Sequence, residues 1–382
     1  MTVVQTNKRT AMTDVHHYHS LLLTMLEIAA VFKKREGSIF SPTGFKMFRV
    51  ANLIVCFLFV TSCARYVFHE KGAQFFTVAI GTGSIEFCII NMILVSKSDI
   101  IDRMLATSAK IFYQLPQNEE TRDVLETYRT KGYTFMRAFG MLIGVNEVLG
   151  LIKPFWMARL TGQLGLPFDI SCLGIPTVPC WIFQIICTSH LIVTVAFHVI
   201  IVKTLMYLTW GHSIVITKIM NRRPVHDDEE NDRKIIELYC DFSRFSTSFS
   251  SLFGLTTFIE VTFTSTRCCF LIYHAIKSLS NNDMEQAIVS VTALIASIAI
   301  SYVMCSCGED LVEINQMMRD GFYNSKWYES SPQSRRRMLP MLVLSRVPIR
   351  FQYRYYMYFN YEILMKIMHS TYSLSAALIQ FL

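Results

Sequence analysis

Three carboxylates occupy unusual positions in this sequence. Glu86, Glu147 and Glu260 lie inside or at the edge of long apolar stretches, where little water is available to solvate an ionised side chain. Intramembrane carboxylates often belong to ion or proton pathways, but a basic partner can also neutralise them in a purely structural pair. We favour the structural interpretation, for which the sequence offers four partners: Arg137, Lys153, Arg267 and His190.

A second polar pattern lies in the last apolar stretch, 361–382. Because this stretch runs to the last residue, we expect any function of it inside the bilayer rather than through a tail. Glu362 and Lys366 are four residues apart and can pair on one helix. A stripe of polar or small residues recurs there at helical spacing: Lys366, Ser370, Ser373, Ala377 and Gln380. Such a stripe either lines a pore or packs against another helix, and the pattern leaves both open.

Patterns of catalytic or metal-binding residues are not evident. The sequence contains no nucleotide-binding loop, no cluster with metal-ligand spacing and no nucleophile beside a base, so we predict neither an enzyme nor a cofactor. The acidic run 227–230 is interpreted as a solvated loop rather than a calcium site. Most of the 11 cysteines lie in apolar stretches and are interpreted as small buried residues. Whether Cys172 and Cys180 form a disulfide is left open.

The elements that must position these residues are membrane-spanning helices. The chain has 382 residues, of which 52% are hydrophobic and 17% charged, and its mean hydropathy is +0.34. Soluble domains are nearer about a quarter charged. Continuous apolar runs of about twenty residues predict helices that cross a bilayer, whereas the strands of a barrel would alternate. The predicted fold class is therefore all-α, a polytopic membrane protein.

Seven transmembrane helices are expected. Their predicted ranges are 47–68, 75–95, 133–151, 178–210, 252–276, 287–305 and the C-terminal stretch. Helical patterns continue beyond the fourth, fifth and sixth spans, through 211–220, 233–250 and 308–322. The seventh element is split, because a polar hinge at 324–332 precedes a short helix that must stop before Pro348.

Basic residues predict the orientation of these spans. Lys and Arg are concentrated in the N-terminal segment and after the second, fourth and sixth spans. The opposite loops contain only Lys71, Lys153, Arg159 and Lys277. The positive-inside rule therefore predicts a cytoplasmic N-terminus and an extracellular C-terminus. The extensions of helices 4–6 and the first half of helix 7 would then form a cytoplasmic anchor. Since the net charge of +7 follows this topology, it does not predict a nucleic-acid partner.

Short motifs near the C-terminus resemble those of insect odorant receptors. The stretch from Gly321 to Tyr328 is similar to a family motif that also stands between the sixth span and the cytoplasmic half of the seventh. Ser331-Pro332 with the three arginines that follow, and the stretch from Ser370 to Ser373, resemble two further motifs. Length, seven spans and inverted orientation agree with the family along the whole chain.

The resemblance implies a tuning subunit of a ligand-gated, non-selective cation channel in the plasma membrane of a sensory dendrite. The implied partners are odorant co-receptor subunits, in a hetero-oligomer of four chains, with a small volatile organic ligand and membrane lipid. The co-receptor has a large insertion between spans four and five, and that loop is short here. The chain is therefore expected to be the tuning subunit and not the co-receptor.

The resemblance also implies where ligand and ions would bind. The family's odorant pocket lies among spans two to six near the outer leaflet, and depth and helical face select Phe76, Ile80, Leu142, Val145, Phe183, Ile186 and Thr262. The co-receptor's pore constriction corresponds to Ser375 and Ile379 of this chain. A serine at the first of these positions departs from the family's aliphatic pattern. Because a hydrophobic gate closes by dewetting, a serine would weaken it, and partner subunits would have to supply the aliphatic ring.

Four segments follow from these expectations. Residues 1–46 form a cytoplasmic N-terminal segment with a short interfacial helix, and residues 47–305 form spans one to six with the pocket in their outer half. Residues 306–354 form the cytoplasmic anchor segment, and residues 355–382 form the pore-lining helix 7.

Three other functions fit a polytopic helical protein. A gustatory-type homotetrameric channel is disfavoured by the spacing of a C-terminal motif. Gln380-Phe381 stands nine residues after Thr371, whereas the spacing in the related gustatory receptors is seven. A secondary transporter would carry internal repeats, and none is evident in the sequence. A G-protein-coupled receptor is disfavoured by the predicted orientation.

Overall fold

The computed structural model describes residues 75–116, 118–161, 177–222 and 229–380. Within these ranges the described side chains exclude 75–77, 80, 84, 146–147, 149–161 and 177–197. The predicted first span, the N-terminal segment and the Cys172–Cys180 bridge therefore lie outside the described residues.

Long α-helices make up most of the described chain. They are α1 (Phe75–Ser96), α2 (Ser98–Gln114), α3 (Glu119–Thr161), α4 (Thr177–Asn221), α5 (Glu229–Ser280) and α6 (Met284–Asn324). A short 3₁₀ turn (Trp327–Glu329) and α7 (Pro332–Leu344) come next. An antiparallel pair of two-residue strands, β1 (Gln352–Tyr353) and β2 (Met357–Tyr358), then leads into α8 (Tyr361–Ile379).

Four of these helices are longer than a bilayer requires. α4, α5 and α6 have 45, 52 and 41 residues, and α3 has 43. At about 1.5 Å per residue each exceeds roughly 60 Å, about twice the hydrocarbon thickness of a membrane. The predicted continuation of α4, α5 and α6 as helix is confirmed. The extension of α3 over 119–132 was not predicted, because that stretch is polar and contains no apolar run.

Three described stretches of helix are long and apolar enough to cross a bilayer: His198–Asn221, Glu229–Ser280 and Met284–Glu329. They overlap the fourth, fifth and sixth predicted spans. A shorter apolar helix, Gly81–Ser96, belongs to the second predicted span. The count of seven spans and their orientation stay predictions.

A continuous apolar core joins the extended halves of α4, α5 and α6. Phe242, Phe249 and Phe253 of α5 recur at helical spacing and are almost completely buried. The ring of Tyr239 meets that of Phe322 edge-on, with their centroids 4.8 Å apart. The three extensions therefore pack as one bundle. Four of the cysteines interpreted as buried are confirmed as such: Cys268, Cys269, Cys305 and Cys307.

The short helix α7 is fixed to the first turn of α5. Its N-cap is Ser331, whose hydroxyl accepts a hydrogen bond from the amide of Ser334 at 3.2 Å. The hydroxyl of Ser334 donates to the buried carboxylate of Asp232 at 2.5 Å, and Arg337 Nη2 lies 3.4 Å from the same oxygen. The helix ends four residues before Pro348, in agreement with the predicted stop.

The β-hairpin departs from the all-α prediction. Two-residue strands are too short to give an alternating sequence pattern, so the sequence contained no signal for them. α8 begins at Tyr361, where the last apolar stretch was predicted to begin. Residues 355–360, which the predicted segments assigned to helix 7, instead form the second half of the hairpin and its connection to α8.

Candidate functional site

A guanidinium and two carboxylates meet between α1, α5 and α6. Arg267 Nη1 donates to Glu86 Oε2 at 2.5 Å, and Nη2 donates to Glu260 Oε1 at 3.0 Å. Both glutamates are 0% exposed. A buried charge is tolerated only when it is paired and hydrogen-bonded, and here each carboxylate has the same cationic partner. Of the four predicted partners, Arg267 is the one that pairs with Glu86 and Glu260, and the structural role of the pairing stays a prediction.

Hydroxyl groups accept the remaining hydrogen bonds of this guanidinium. Arg267 Nε donates to Ser297 Oγ of α6 at 3.1 Å, and Nη2 also lies 3.3 Å from Thr264 Oγ1. Ser301 of α6 donates to the same Thr264 hydroxyl at 3.1 Å. Each guanidinium nitrogen therefore has at least one acceptor. The result is a polar cross-link between three otherwise apolar helices.

The remaining candidates of this kind are less informative. Glu147, Lys153 and His190 lie on α3 or α4 with side chains outside the described set, and Arg137 is exposed. A buried histidine that was not singled out, His198 of α4, lies 2.9 Å through Nε2 from Thr256 Oγ1 of α5. It adds a polar contact between two core helices.

A second, partly buried ion pair was not predicted from the sequence. Lys203 of α4 donates from Nζ to Asp310 Oδ2 of α6 at 2.6 Å and to Ser306 Oγ at 3.0 Å. A single lysine inside the fourth apolar run was the signal that pointed to such a pair. Its partner could not be read from the sequence, since the two residues are 107 positions apart.

The last helix packs on the chain through one face. The buried residues of α8 are Ile367, Thr371 and Ser375, each four positions apart. Ser375 is 4% exposed and donates its hydroxyl to the Thr371 carbonyl at 2.7 Å. Thr371 in turn donates to Ser265 Oγ of α5 at 3.4 Å. In the single chain Ser375 therefore lies in a helix contact, which differs from its expected place on a pore wall.

The opposite face of α8 is open. The whole predicted polar stripe is exposed, and so is Ile379. Packing against the described part of the chain therefore does not account for the stripe, and its place on a pore wall stays a prediction. The predicted pair between Glu362 and Lys366 is present, with Nζ 2.7 Å from Oε1.

The hairpin before α8 is seated on two glycines. Gly254 of α5 lies under the Gln352 carbonyl, and Gly308 of α6 lies under the Phe359 carbonyl. At either glycine a Cβ would collide with the backbone oxygen above it. The glycines thus permit main chain to rest directly on the helices.

Side chains of α5 and α6 hold the same segment in place. Ser250 Oγ donates to the Arg350 carbonyl at 2.7 Å, and Asn315 Nδ2 donates to the Ile349 carbonyl at 3.1 Å. The amide of Tyr361, the first residue of α8, donates to Glu309 Oε1 at 3.2 Å. The start of α8 is therefore fixed by α5 and α6, so a movement of those helices would be transmitted to it.

The predicted pocket residues are only partly described. Leu142 and Val145 of α3 are 36% and 58% exposed. Thr262 of α5 is also exposed, and its hydroxyl donates to the Phe258 carbonyl at 2.7 Å. Phe76 and Ile80 of α1, and Phe183 and Ile186 of α4, have side chains outside the described set. A volatile-binding pocket lined by these seven residues stays a prediction.

A charged groove lies where α3 and α5 begin and α4 ends. Its volume is about 350 Å³, and it is lined by Pro116, Asn118, Glu120, Thr121, Val215, Lys218, Ile219, Arg222 and Asn231. Hydrogen bonds from Arg222, and then from Lys218, hold the pKa of the Glu120 carboxyl below its usual range. This lining does not suit an apolar volatile. Among the described residues, no group of His, Cys, Asp and Glu is arranged to hold a metal.

Comparisons with known proteins agree with this architecture. Residues 71–372 match the family model described as 7tm Odorant receptor. The fold is similar to two solved structures of the insect olfactory receptor OR5 from Machilis hrabei, one of them in complex with eugenol. Each superimposes with a TM-score of 0.80 at 12% identity, covering 97% of this chain and 100% of the other.

Proposed function

The chain belongs to the 7tm odorant receptor family, and we propose that it is the odour-tuning subunit of a cation channel formed with the odorant co-receptor. The observation that carries the proposal is the family match over residues 71–372, which includes the apolar helices and most of α8. The short connection between α4 and α5 supports the tuning role over that of the co-receptor.

The proposed ligand is a small volatile that binds in the outer half of the helix bundle. The seven pocket candidates are apolar or aromatic apart from Thr262. A ligand with a mostly apolar surface and one polar atom suits such a lining. Eugenol, the ligand named for one of the similar structures, is a reasonable first probe.

Gating is proposed to act through α5 and α6 on α8. Ligand binding that displaces α5 would reach α8 by two routes: the contact of Thr371 with Ser265, and the hairpin seated on Gly254 and Gly308. The extended bundle with α7 would stay fixed as the cytoplasmic anchor. It would thereby provide the stationary part against which α8 moves.

The open face of α8 is proposed to border the ion conduit. Its exposed polar stripe and Ile379 offer both hydration and an aliphatic constriction. Ser375 joins this wall only if α8 turns when the channel opens. An aliphatic ring at that level would come from the partner subunits.

Co-expression tests the proposal. In cells without other odorant receptors, this chain together with an insect co-receptor is expected to give cation currents evoked by a panel of volatiles that includes eugenol. The co-receptor alone and this chain alone are the controls, and both are expected to be silent to those volatiles. Odour-evoked current from this chain alone would contradict the tuning role and favour a homotetramer of the gustatory type. Solute uptake without current would favour a transporter.

A further inference from the structure

The cluster around Arg267 holds an unequal number of charges. Glu86 and Glu260 contribute two carboxylates and Arg267 one guanidinium, so the cluster carries a net negative charge if both acids are ionised. Both carboxylates are fully buried, and an uncompensated charge in such a site costs several kilocalories. A further positive charge or a proton is therefore required.

The neighbouring titratable groups among the described residues do not supply that charge. In that part of the chain they are His198 of α4 and the thiol of Cys268. His198 is buried, its Nε2 lies by the Thr256 hydroxyl, and its Nδ1 has no partner among the described residues. An imidazolium at this position would bury an unpaired N–H, so the ring is neutral. From α6 the cluster receives only the hydroxyls of Ser297 and Ser301 in the described contacts.

The two acids have complementary unpaired oxygens. Glu86 Oε1 and Glu260 Oε2 are buried, and no described donor reaches either of them. Both carboxyl groups are bound by the same guanidinium, Glu86 Oε2 by Nη1 and Glu260 Oε1 by Nη2 of Arg267. We propose that the cluster is a proton-binding site, in which one proton bridges Glu86 and Glu260 and makes the group of three residues neutral.

The proton resides on Glu86. Glu260 Oε1 accepts from Arg267 Nη2 at 3.0 Å and lies 3.3 Å from the Thr264 hydroxyl. Glu86 accepts from Arg267 Nη1 alone among the described contacts. More donors stabilise the ionised form, so Glu260 keeps the negative charge and Glu86 donates to it. Glutamine at position 86 reproduces the donor and the shape of the protonated acid.

Infrared spectroscopy of the full chain in lipid nanodiscs tests for the proton directly. The unchanged chain is expected to show the carbonyl stretch of a buried, protonated carboxylic acid at neutral pH. Glu86→Gln is expected to lose this band. Glu362→Gln, which changes an exposed carboxylate on α8, is expected to keep it. Absence of the band in the unchanged chain, or its persistence in Glu86→Gln, would overturn the proposal.

Thermal unfolding of the same samples gives a second measurement. Glu86→Gln is expected to unfold close to the unchanged chain, whereas Arg267→Gln and the double variant Glu86→Gln/Glu260→Gln are expected to unfold well below it. Equal destabilisation by Glu86→Gln and Arg267→Gln would mean that both acids are ionised, against the proposal. A sodium-dependent Tm that Glu86→Gln abolishes would also overturn it, since a metal cation would then occupy the place of the proton.

Discussion

At the scale of single residues, Arg267 illustrates how a charge is accommodated between apolar helices. Its Nε donates to Ser297 of α6, one Nη donates to Glu86 of α1, and the other Nη donates to Glu260 of its own helix, α5. A planar guanidinium directs these donors in fixed directions, which a lysine ammonium cannot reproduce. The position therefore depends on the shape of the side chain as much as on its charge.

Replacing Arg267 with lysine is expected to destabilise the chain. At least one charged hydrogen bond is lost inside the protein, which costs roughly 1.5–3 kcal/mol. Arg233→Lys is the matched control, because Arg233 pairs with Glu237 on an exposed helix surface. Surface ion pairs contribute about 1 kcal/mol or less. Thermal unfolding of the purified chains measures both changes, and equal shifts in Tm would contradict the structural role of Arg267.

Cysteine accessibility distinguishes the two faces of α8. Tyr372 is 74% exposed in the single chain, while Ser375 is buried one turn from Thr371. In the proposed channel with the co-receptor, we expect a water-soluble thiol reagent to change the current of Tyr372→Cys and to leave that of Ser375→Cys unaffected. Rapid modification of Ser375→Cys in the closed channel, with Tyr372→Cys unreactive, would show that α8 faces the conduit in the opposite way.

Acid is expected to weaken the contact between α3 and α4 at Glu120. The pKa of this carboxyl is lower in the folded chain because Arg222 and Lys218 donate to it. The contact therefore adds stability above the carboxyl's unfolded pKa and loses it as pH falls through the folded pKa. The group is exposed, so the effect is small.

Thermal unfolding as a function of pH measures the Glu120 contact. The difference between the unchanged chain and Glu120→Gln is expected to be present at neutral pH and to vanish in acid. Glu119→Gln, which removes a neighbouring carboxylate with no ion pair in the described chain, is the control. A difference that grows in acid would contradict this assignment.

At the scale of elements, the hairpin is the structural joint between the packed bundle and α8. Ser250, Asn315 and Glu309 hold the backbone on either side of it, while Gly254 and Gly308 allow main chain to lie directly on the helices. Main chain lying on glycine is a contact without a flexible side chain between the elements. Because backbone contacts backbone there, a small displacement of α5 or α6 is expected to displace the start of α8 as well.

Substitution of Gly308 by alanine is expected to displace the hairpin. The new methyl group would collide with the Phe359 carbonyl. Because this oxygen belongs to the backbone, it cannot move aside as the end of a flexible side chain could. Overpacking of this kind costs about 1–3 kcal/mol. We expect lower thermal stability of the chain and a smaller odour-evoked current with the co-receptor.

Gly140→Ala is the control for this change. Gly140 also lies in a long helix, but no atom stands within 4 Å of a Cβ added there. Alanine favours helix over glycine by up to about 1 kcal/mol, so this variant is expected to match or slightly exceed the unchanged chain in stability. If Gly308→Ala behaves in the same way, the hairpin is not seated as tightly as described.

At the scale of the whole molecule, the helix lengths and the distribution of charge point to one arrangement. The helices continue far beyond a bilayer on the side that carries most of the basic residues, and there they pack into one apolar core. That side is expected to be cytoplasmic. In the proposed channel, we expect the open face of α8 and the exposed apolar side chains of α7 to contact partner chains.

Epitope tags test the orientation of the whole chain. On intact, unpermeabilised cells a C-terminal tag is expected to bind antibody, and an N-terminal tag is expected to bind only after permeabilisation. Seven spans, with the basic residues on the inner side, would give this result, and both are predictions from the sequence. Surface labelling of the N-terminal tag on intact cells would contradict the predicted orientation and the assignment of the anchor to the cytoplasmic side.

The sequence by itself determined the apolar helices, the continuation of α4, α5 and α6, the start of α8 and the family. These features depend on apolar runs, helical periodicity and short motifs, which are local. Only the tertiary structure decided that Arg267, rather than three other basic residues, pairs with Glu86, 181 positions away. It alone turned Thr371 and Ser375 inward and the polar stripe outward, and it placed the hairpin on Gly254 and Gly308. The physical reason is that periodicity shows which residues share a helix face, whereas the neighbour of that face depends on how distant segments pack.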